Sequence, residues 1–194
     1  MTNTSAHKFL NPLVLLLLVI SSPLFAETIE TVENKYYEIS PRTPYEIKPL
    51  LMRNTPIHDN GGTFNGHTDW YVDWNYSSTS TPYGCQLSNV QTKVHVVHIL
   101  PRLSQYVTDP QTIEVFNKFN AALTLHENNH GNHGLLAARA IDQAFKEIPP
   151  QQNCRSLSRY INDMGKSIVQ TYIQKDSDYD RLTNNGETEG AVIY

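Results

Sequence analysis

The sequence predicts an α+β fold: a small antiparallel sheet in the N-terminal half, packed against two helices that follow it. Three observations carry that prediction. Residues 68–76 alternate, with Trp70, Val72, Trp74 and Tyr76 on one face and Asp69, Tyr71, Asp73 and Asn75 on the other. Residues 87–100 alternate again through Val90, Thr92, Val94 and Val96. From Asp109 the spacing changes to threes and fours, through Phe116, Phe119, Leu123, His126 and His130. A period of two in β-branched and aromatic residues marks half-buried strands, and a period near 3.6 marks a helix. Strands that come first, with helices after them, place the chain in the α+β class.

The chain has 194 residues. Its start is no part of the fold: Lys8, the apolar run of residues 13–20 (LVLLLLVI) and a small-residue stretch ending at Ala26 have the order of a secretory signal peptide cut after Ala26. The apolar run is too short to span a bilayer, which takes about 20 residues. Residues 27–194 then form a single domain. Within it, residues 36–40 (YYEIS) read as a short strand, and residues 43–53 as a short helix with Thr43 as cap and Pro44 in the first turn. Asn60-Gly61-Gly62 reads as a turn and residues 77–84 (SSTSTPYG) as a loop. Pro101 ends the second strand. Asp109-Pro110 opens the long helix, which runs through Ala137, Ile141 and Phe145 until Pro149-Pro150. A second helix spans residues 154–173, and residues 176–194 form a polar, turn-rich tail.

Charge narrows the partners. Removing residues 1–26 takes away one lysine and no acid, so 15 basic and 19 acidic side chains become 14 and 19, a formal charge of −5. A mildly acidic chain lacks the basic footprint of a nucleic-acid binder. No second apolar segment follows, so no membrane span is expected after signal cleavage. Cys85 and Cys154 are the two cysteines, and in an oxidising compartment they predict one disulfide.

The chemistry lies in residues 126–130, His-Glu-Asn-Asn-His. Residues i and i+4 project from one helical face, so both imidazoles can reach one zinc ion at about 2.0–2.1 Å. Glu127, beside the ion, is placed to take a proton from water as general base. Both histidines continue the stripe of Phe119 and Leu123, on the face that should be buried, where two imidazoles need partners and an ion supplies one. The expectation is a zincin-like helix holding one zinc ion in a periplasmic or secreted metallopeptidase.

A catalytic zinc takes a third protein ligand and keeps one position open. His133 is the first candidate, on the same face as His130. It lies two turns from His126, about 10.5 Å along an ideal helix, so a helix break near Gly131 and Gly134 would be needed. Asp180 is the rival, folding back from the tail; Glu187, His95 and His98 are weaker options. Tyr179 is a candidate to assist the oxyanion.

Several segments together resemble a bacterial family of predicted secreted zinc-dependent proteases, grouped as a domain of unknown function. They are Tyr36-Tyr37, the run Phe64-x-Gly66-x-Thr68-x-Trp70-x-Val72-x-Trp74, the Cys85 and Cys154 pair, His126-Glu127-x-x-His130-Gly131, and Tyr179-Asp180-x-x-Thr183 through Gly190-Ala191. The resemblance implies zinc on His126 and His130 with Glu127 as base. One departure stands out. After the threonine the family's tail carries His-Gly, where this chain has Asn185-Gly186; His133, Asp180 or Asn185 itself would then take that histidine's place. The expected substrate is a protein, a peptide or a cell-wall peptide. A zinc amidase acting on cell-wall amide bonds shares this chemistry. A non-catalytic zinc-bearing envelope module, with Trp70 and Trp74 on a ligand-contacting surface, is the reading outside enzymes.

Overall fold

The computed structural model describes residues 27–59 and 62–194; the signal-peptide expectation and the turn at Asn60-Gly61 lie outside the described residues. The fold is α+β, a three-stranded sheet with helices. Strand β1 spans Glu27–Ile39, helix α1 Pro44–Asn54, β2 His58–Asp59, β3 Gly62–Thr63, β4 His67–Thr81, β5 Gly84–Leu103, α2 Pro110–Lys146 and α3 Cys154–Thr183, followed by a 3₁₀ turn at Glu187–Glu189. The sheet order is β1-β5-β4, and β2-β3 is a separate two-stranded ribbon.

The expected antiparallel pair is β4 and β5, in register from His67↔Ile99 to Thr81↔Gly84. Three details differ from expectation. The Ser/Thr-rich stretch 77–81 stays in β4 past an irregularity at Ser77/Ser78, so the hairpin turn shrinks to Pro82 and Tyr83. Threonine suits an exposed strand, and the end of the hairpin is held where Cys85 and Gln151 exchange backbone hydrogen bonds at 2.7 and 2.8 Å. The sheet is also mixed rather than antiparallel. β1 is a full strand of 13 residues paired parallel to β5, from Glu27↔Gln91 to Ile39↔Leu103. Pro101 does not stop β5, because it lies beyond the last β4 pairing at Ile99, where the strand is an edge on one side and a residue without an N–H is tolerated.

Val90, Thr92, Val94, Val96, His98 and Leu100 of β5 are buried, and this row faces α2. Helix α2 runs unbroken for 37 residues, capped by the Asp109 side chain on the backbone N–H of Thr112 at 2.8 Å. Its buried stripe is Phe116, Phe119, Leu123, His126, Glu127, His130, Gly134, Ala138, Ile141 and Phe145. Full burial of one such Phe or Leu stabilises by roughly 1.5–3 kcal/mol. The apolar part of the stripe therefore carries the docking of α2, and its polar middle needs a different justification. At one end Phe116, Phe119 and Leu123 pack with Ile39, Ile47 and Leu51, which makes α1 a third helix of the core. At the other, Ile141 and Phe145 pack with Leu157 and Ile161 of α3.

The disulfide forms between Cys85 and Cys154 and joins the start of β5 to the start of α3. The α3 N-terminus is a capping box of Asn153 and Ser156. The helix runs ten residues beyond the expected end at Ile173, to Thr183. Its last turns lie against the middle of α2. Among the described residues no helix is long and apolar enough to cross a membrane.

Candidate metal centre

The polar middle of α2 forms the floor of a cleft of about 510 Å³. One wall is the segment from Thr63 to Thr68 that leads into β4. The other is the end of α3 and the turn after it, with Asp176, Asp180, Asn184, Asn185 and Glu187. His126, Glu127 and His130 are only 3, 4 and 7 % exposed. Burying ionisable groups costs several kcal/mol unless each is paired, and here each is.

The Nε2 atoms of His126 and His130 are 3.2 Å apart. Asp180 Oδ1 lies 2.9 Å from the His130 Nε2 and 3.2 Å from the His126 Nε2. Three donors at the corners of a tetrahedron around zinc, with bonds near 2.0–2.1 Å, stand about 3.3 Å from one another. The triangle therefore has nearly the size of one tetrahedral face, with a fourth position left over. These three residues could hold a metal ion, and their donor set of two imidazoles and a carboxylate suits zinc.

The outer nitrogens complete the pattern. His126 Nδ1 donates to Glu189 Oε2 at 2.9 Å, and His130 Nδ1 donates to Asp176 Oδ1 at 2.9 Å. Imidazoles that hold a metal commonly donate their other N–H to a carboxylate, which fixes the tautomer and the ring plane. Both carboxylates are fixed in turn. Trp70 Nε1 donates to Asp176 Oδ2 at 2.7 Å, and the Tyr179 hydroxyl donates to Glu189 at 2.8 Å. Asn129 Nδ2 donates to that hydroxyl at 2.7 Å. The Tyr179 ring stacks on His126, centroids 4.9 Å apart.

Electrostatics follow from this packing. Burial pushes the Glu127 carboxyl above the ordinary carboxylate range, against the hydrogen bond from Thr68 and the nearby histidines. Burial disfavours charge on His130, but hydrogen bonds to Asp176 and Asp180 outweigh it and raise the ring to about 10. Burial acts on Asp180 in the raising direction; hydrogen bonds from His126 and His130 overcome it and hold the carboxyl well below its usual value. Positive charge is thus favoured at the Nε2 corner of the triangle, the place where an ion would sit.

The expected residues divide into those that meet and those that do not. His126, Glu127, His130 and Asp180 come together as one group. His133 does not share a group with His126: α2 has no break, and the His133 Nδ1 bonds Asp176 Oδ1 one turn further on, in a cluster with His130. Gly131 and Gly134 serve close packing instead of a break; a Cβ on Gly134 would lie 2.6 Å from the Trp70 Cβ. Tyr179 stands behind His126, its hydroxyl committed to Glu189, and is not among the residues lining the cleft. Glu187 and Asn185 line the cleft, with Glu187 accepting from the Asn184 side chain at 2.5 Å. Asn184 and Asn185 both have positive φ, 52° and 51°; this turn is capped by Asn185 N–H on the Asp180 carbonyl at 2.8 Å. His95 bonds Thr31 on exposed surface, and His98 is buried against Thr68.

Asp176, Glu189, Thr68 and Trp70 were not foreseen as members of the site. Asp176, Tyr179, Asp180 and Thr183 follow one another by three, one and three, a helical face written in polar residues. An apolar stripe search passes over it.

Residues 34–187 match the family described as "Bacterial protein of unknown function (DUF922)". The chain belongs to that family. No curated protein matches, and no solved structure does. The matched span of DUF922 reaches from within β1 to the start of the 3₁₀ turn. It therefore takes in the cleft floor and all three corners of the triangle.

Proposed function

We propose that this DUF922 protein is a zinc-dependent hydrolase, a metallopeptidase acting on protein or peptide substrates outside the cytoplasm. The observation that carries the reading is the triangle of His126 Nε2, His130 Nε2 and Asp180 Oδ1, with Glu127 in the same cleft. The disulfide fits an oxidising compartment. The zinc-protease character of the family and the signal peptide cut after Ala26 belong to this proposal.

Zinc held by His126, His130 and Asp180 supplies a Lewis acid that polarises a carbonyl and makes water easier to deprotonate. Glu127 removes one proton from the attacking water, and the water oxygen bonds the carbonyl carbon. The protonated Glu127 then delivers that proton to the leaving nitrogen as the C–N bond breaks. A carboxyl raised by its buried surroundings suits both halves of this exchange. Asp176 and Glu189 hold the two imidazoles in the tautomer that leaves Nε2 available.

The test begins with elemental analysis of purified protein after dialysis against metal-free buffer. One zinc per chain is expected, retained in Glu127→Ala while hydrolysis is lost. Absence of bound zinc, or equal turnover in Glu127→Ala, overturns the reading. Parallel digests of casein and purified cell wall separate a peptidase from a cell-wall amidase. The non-catalytic module has less support: the indole N–H groups of Trp70 and Trp74 bond Asp176 and Asn162 of α3, which commits both rings to packing.

A further inference from the structure

Behind Glu127 lies a buried chain of three polar groups. Thr68 on β4 and His98 on β5 are cross-strand partners, 8 and 4 % exposed. The Thr68 hydroxyl oxygen lies 2.7 Å from Glu127 Oε2, 3.1 Å from the Glu127 carbonyl and 2.8 Å from His98 Nδ1. A hydroxyl has one proton to donate, and an ionised carboxylate only accepts. While Glu127 is ionised, the form in which it can take up a proton, Thr68 donates to it, and the ring nitrogen facing Thr68 is then the donor: His98 carries its proton on Nδ1.

Gly131 makes room for that ring, since a Cβ there would lie 2.8 Å from His98 Cε1. A mid-helix glycine costs about 1 kcal/mol relative to alanine, and the space it leaves is filled by His98. The second carboxylate oxygen is treated differently. Oε1 lies under Gly66, where a Cβ would stand 2.7 Å away, at the wall of the cleft.

We propose that Thr68 and His98 form a hydrogen-bond clamp of fixed polarity that holds Glu127 by Oε2 and leaves Oε1 as the atom that exchanges protons. Both are positioning residues, and their role in catalysis rests on the hydrolase reading above; the clamp itself does not. Threonine is stiff at χ1, so the hydroxyl is a firm point of attachment. His98, a weaker option as a metal ligand, acts on Glu127 through two hydrogen bonds.

The experiment uses the purified, zinc-supplemented protein and three variants: Thr68→Val, Thr68→Ser and His98→Asn. Nitrogen-15 NMR of the imidazoles is expected to show His98 in wild type as the Nδ1–H tautomer with a slowly exchanging proton, a signal lost in Thr68→Val and kept in Thr68→Ser. Misplacing a catalytic group by about 1 Å costs on the order of 10²-fold. Thr68→Val should lose kcat on that scale with KM and zinc content unchanged, Thr68→Ser should recover most of it, and His98→Asn should fall between. An Nε2–H tautomer in wild type, or full kcat in Thr68→Val, overturns the clamp. If wild type hydrolyses nothing, the hydrolase reading fails by itself, and the NMR comparison still decides whether the clamp exists.

Discussion

Glu189 Oε2 stands 2.9 Å from the Nδ1 of His126, across 63 residues of chain. The contact depends on the turn that follows α3. Gly186 adopts φ +82°, a region that favours glycine, and a Cβ there would lie 3.0 Å from the His126 ring. The turn closes over His126 and sets Glu189 beside it. With Asp176 on His130, the two imidazoles are oriented by two carboxylates from different elements.

Removing such an outer partner typically weakens metal affinity by 10–100-fold. Glu189→Ala is therefore expected to weaken zinc binding on that scale without changing the stoichiometry at saturation. Tyr179→Phe, which leaves Glu189 in place, should weaken it less. Chelator competition measures both, and an unchanged affinity in Glu189→Ala would remove Glu189 from the site.

The triangle also ranks the two rivals for the third ligand. Asp180→Ala is expected to abolish stoichiometric zinc binding, because it removes one corner. His133→Ala should keep one zinc per chain with reduced affinity, since the hydrogen bond of His133 into the site goes to Asp176, not to a corner of the triangle. The reverse pattern in a zinc titration would return His133 to the ion and displace Asp180.

These contrasts mark what was legible in the sequence. Helix α2 was, from its Asp109-Pro110 start to its end near Phe145, because its buried face is mostly apolar and His126 and His130 continue that face. The β4–β5 pair was legible for the same reason. Of the parallel strand β1 only the end was, in the short strand read at residues 36–40: Ile29 and Val32 are exposed, so its first nine residues have no alternation to read, and its partner lies more than sixty residues away. The last ten residues of α3 were missed because their inward face is Asp176, Tyr179, Asp180 and Thr183, polar groups, the first three half-buried and the last buried, that carry no apolar stripe. Asp180 was named as a rival ligand without the helix that delivers it. Glu189 belongs to no spacing rule; only the turn after α3 brings it to His126.

Charge in the site predicts how stability responds to pH. Without metal, His130 is raised from 6.5 to about 10, so its contribution is full below pH 6.5 and is lost as pH rises toward 10. Asp180 is held below its ordinary 3.8, so its contribution is full above that value and is lost as pH falls below it. Both contributions are complete between about pH 4 and 6.5. Thermal melts in chelator should therefore lose stability from pH 6.5 toward pH 10 through this pair. Saturating zinc should reverse that alkaline trend, because the ion binds deprotonated imidazoles and gains affinity as pH rises. A chelated protein that grows more stable from pH 6.5 to 9 would contradict the paired state of His130.

The disulfide and the candidate metal centre occupy opposite ends of α3, Cys154 at its first residue and Asp180 near its last. Opening the 69-residue link between Cys85 and Cys154 should cost about 2–5 kcal/mol. For a domain of this size that is a fall in Tm of about 10 °C. Zinc at a hundredfold excess over Kd adds about 2.7 kcal/mol, and it acts through residues that the cystine does not touch. The two effects should therefore add: zinc should raise the Tm of a Cys85→Ser/Cys154→Ser variant by about as much as it raises that of wild type. Scanning calorimetry of both proteins, with and without zinc, checks this. A variant that folds but no longer responds to zinc would mean that the cystine positions α3 for the metal, and the independence of the two ends would be wrong.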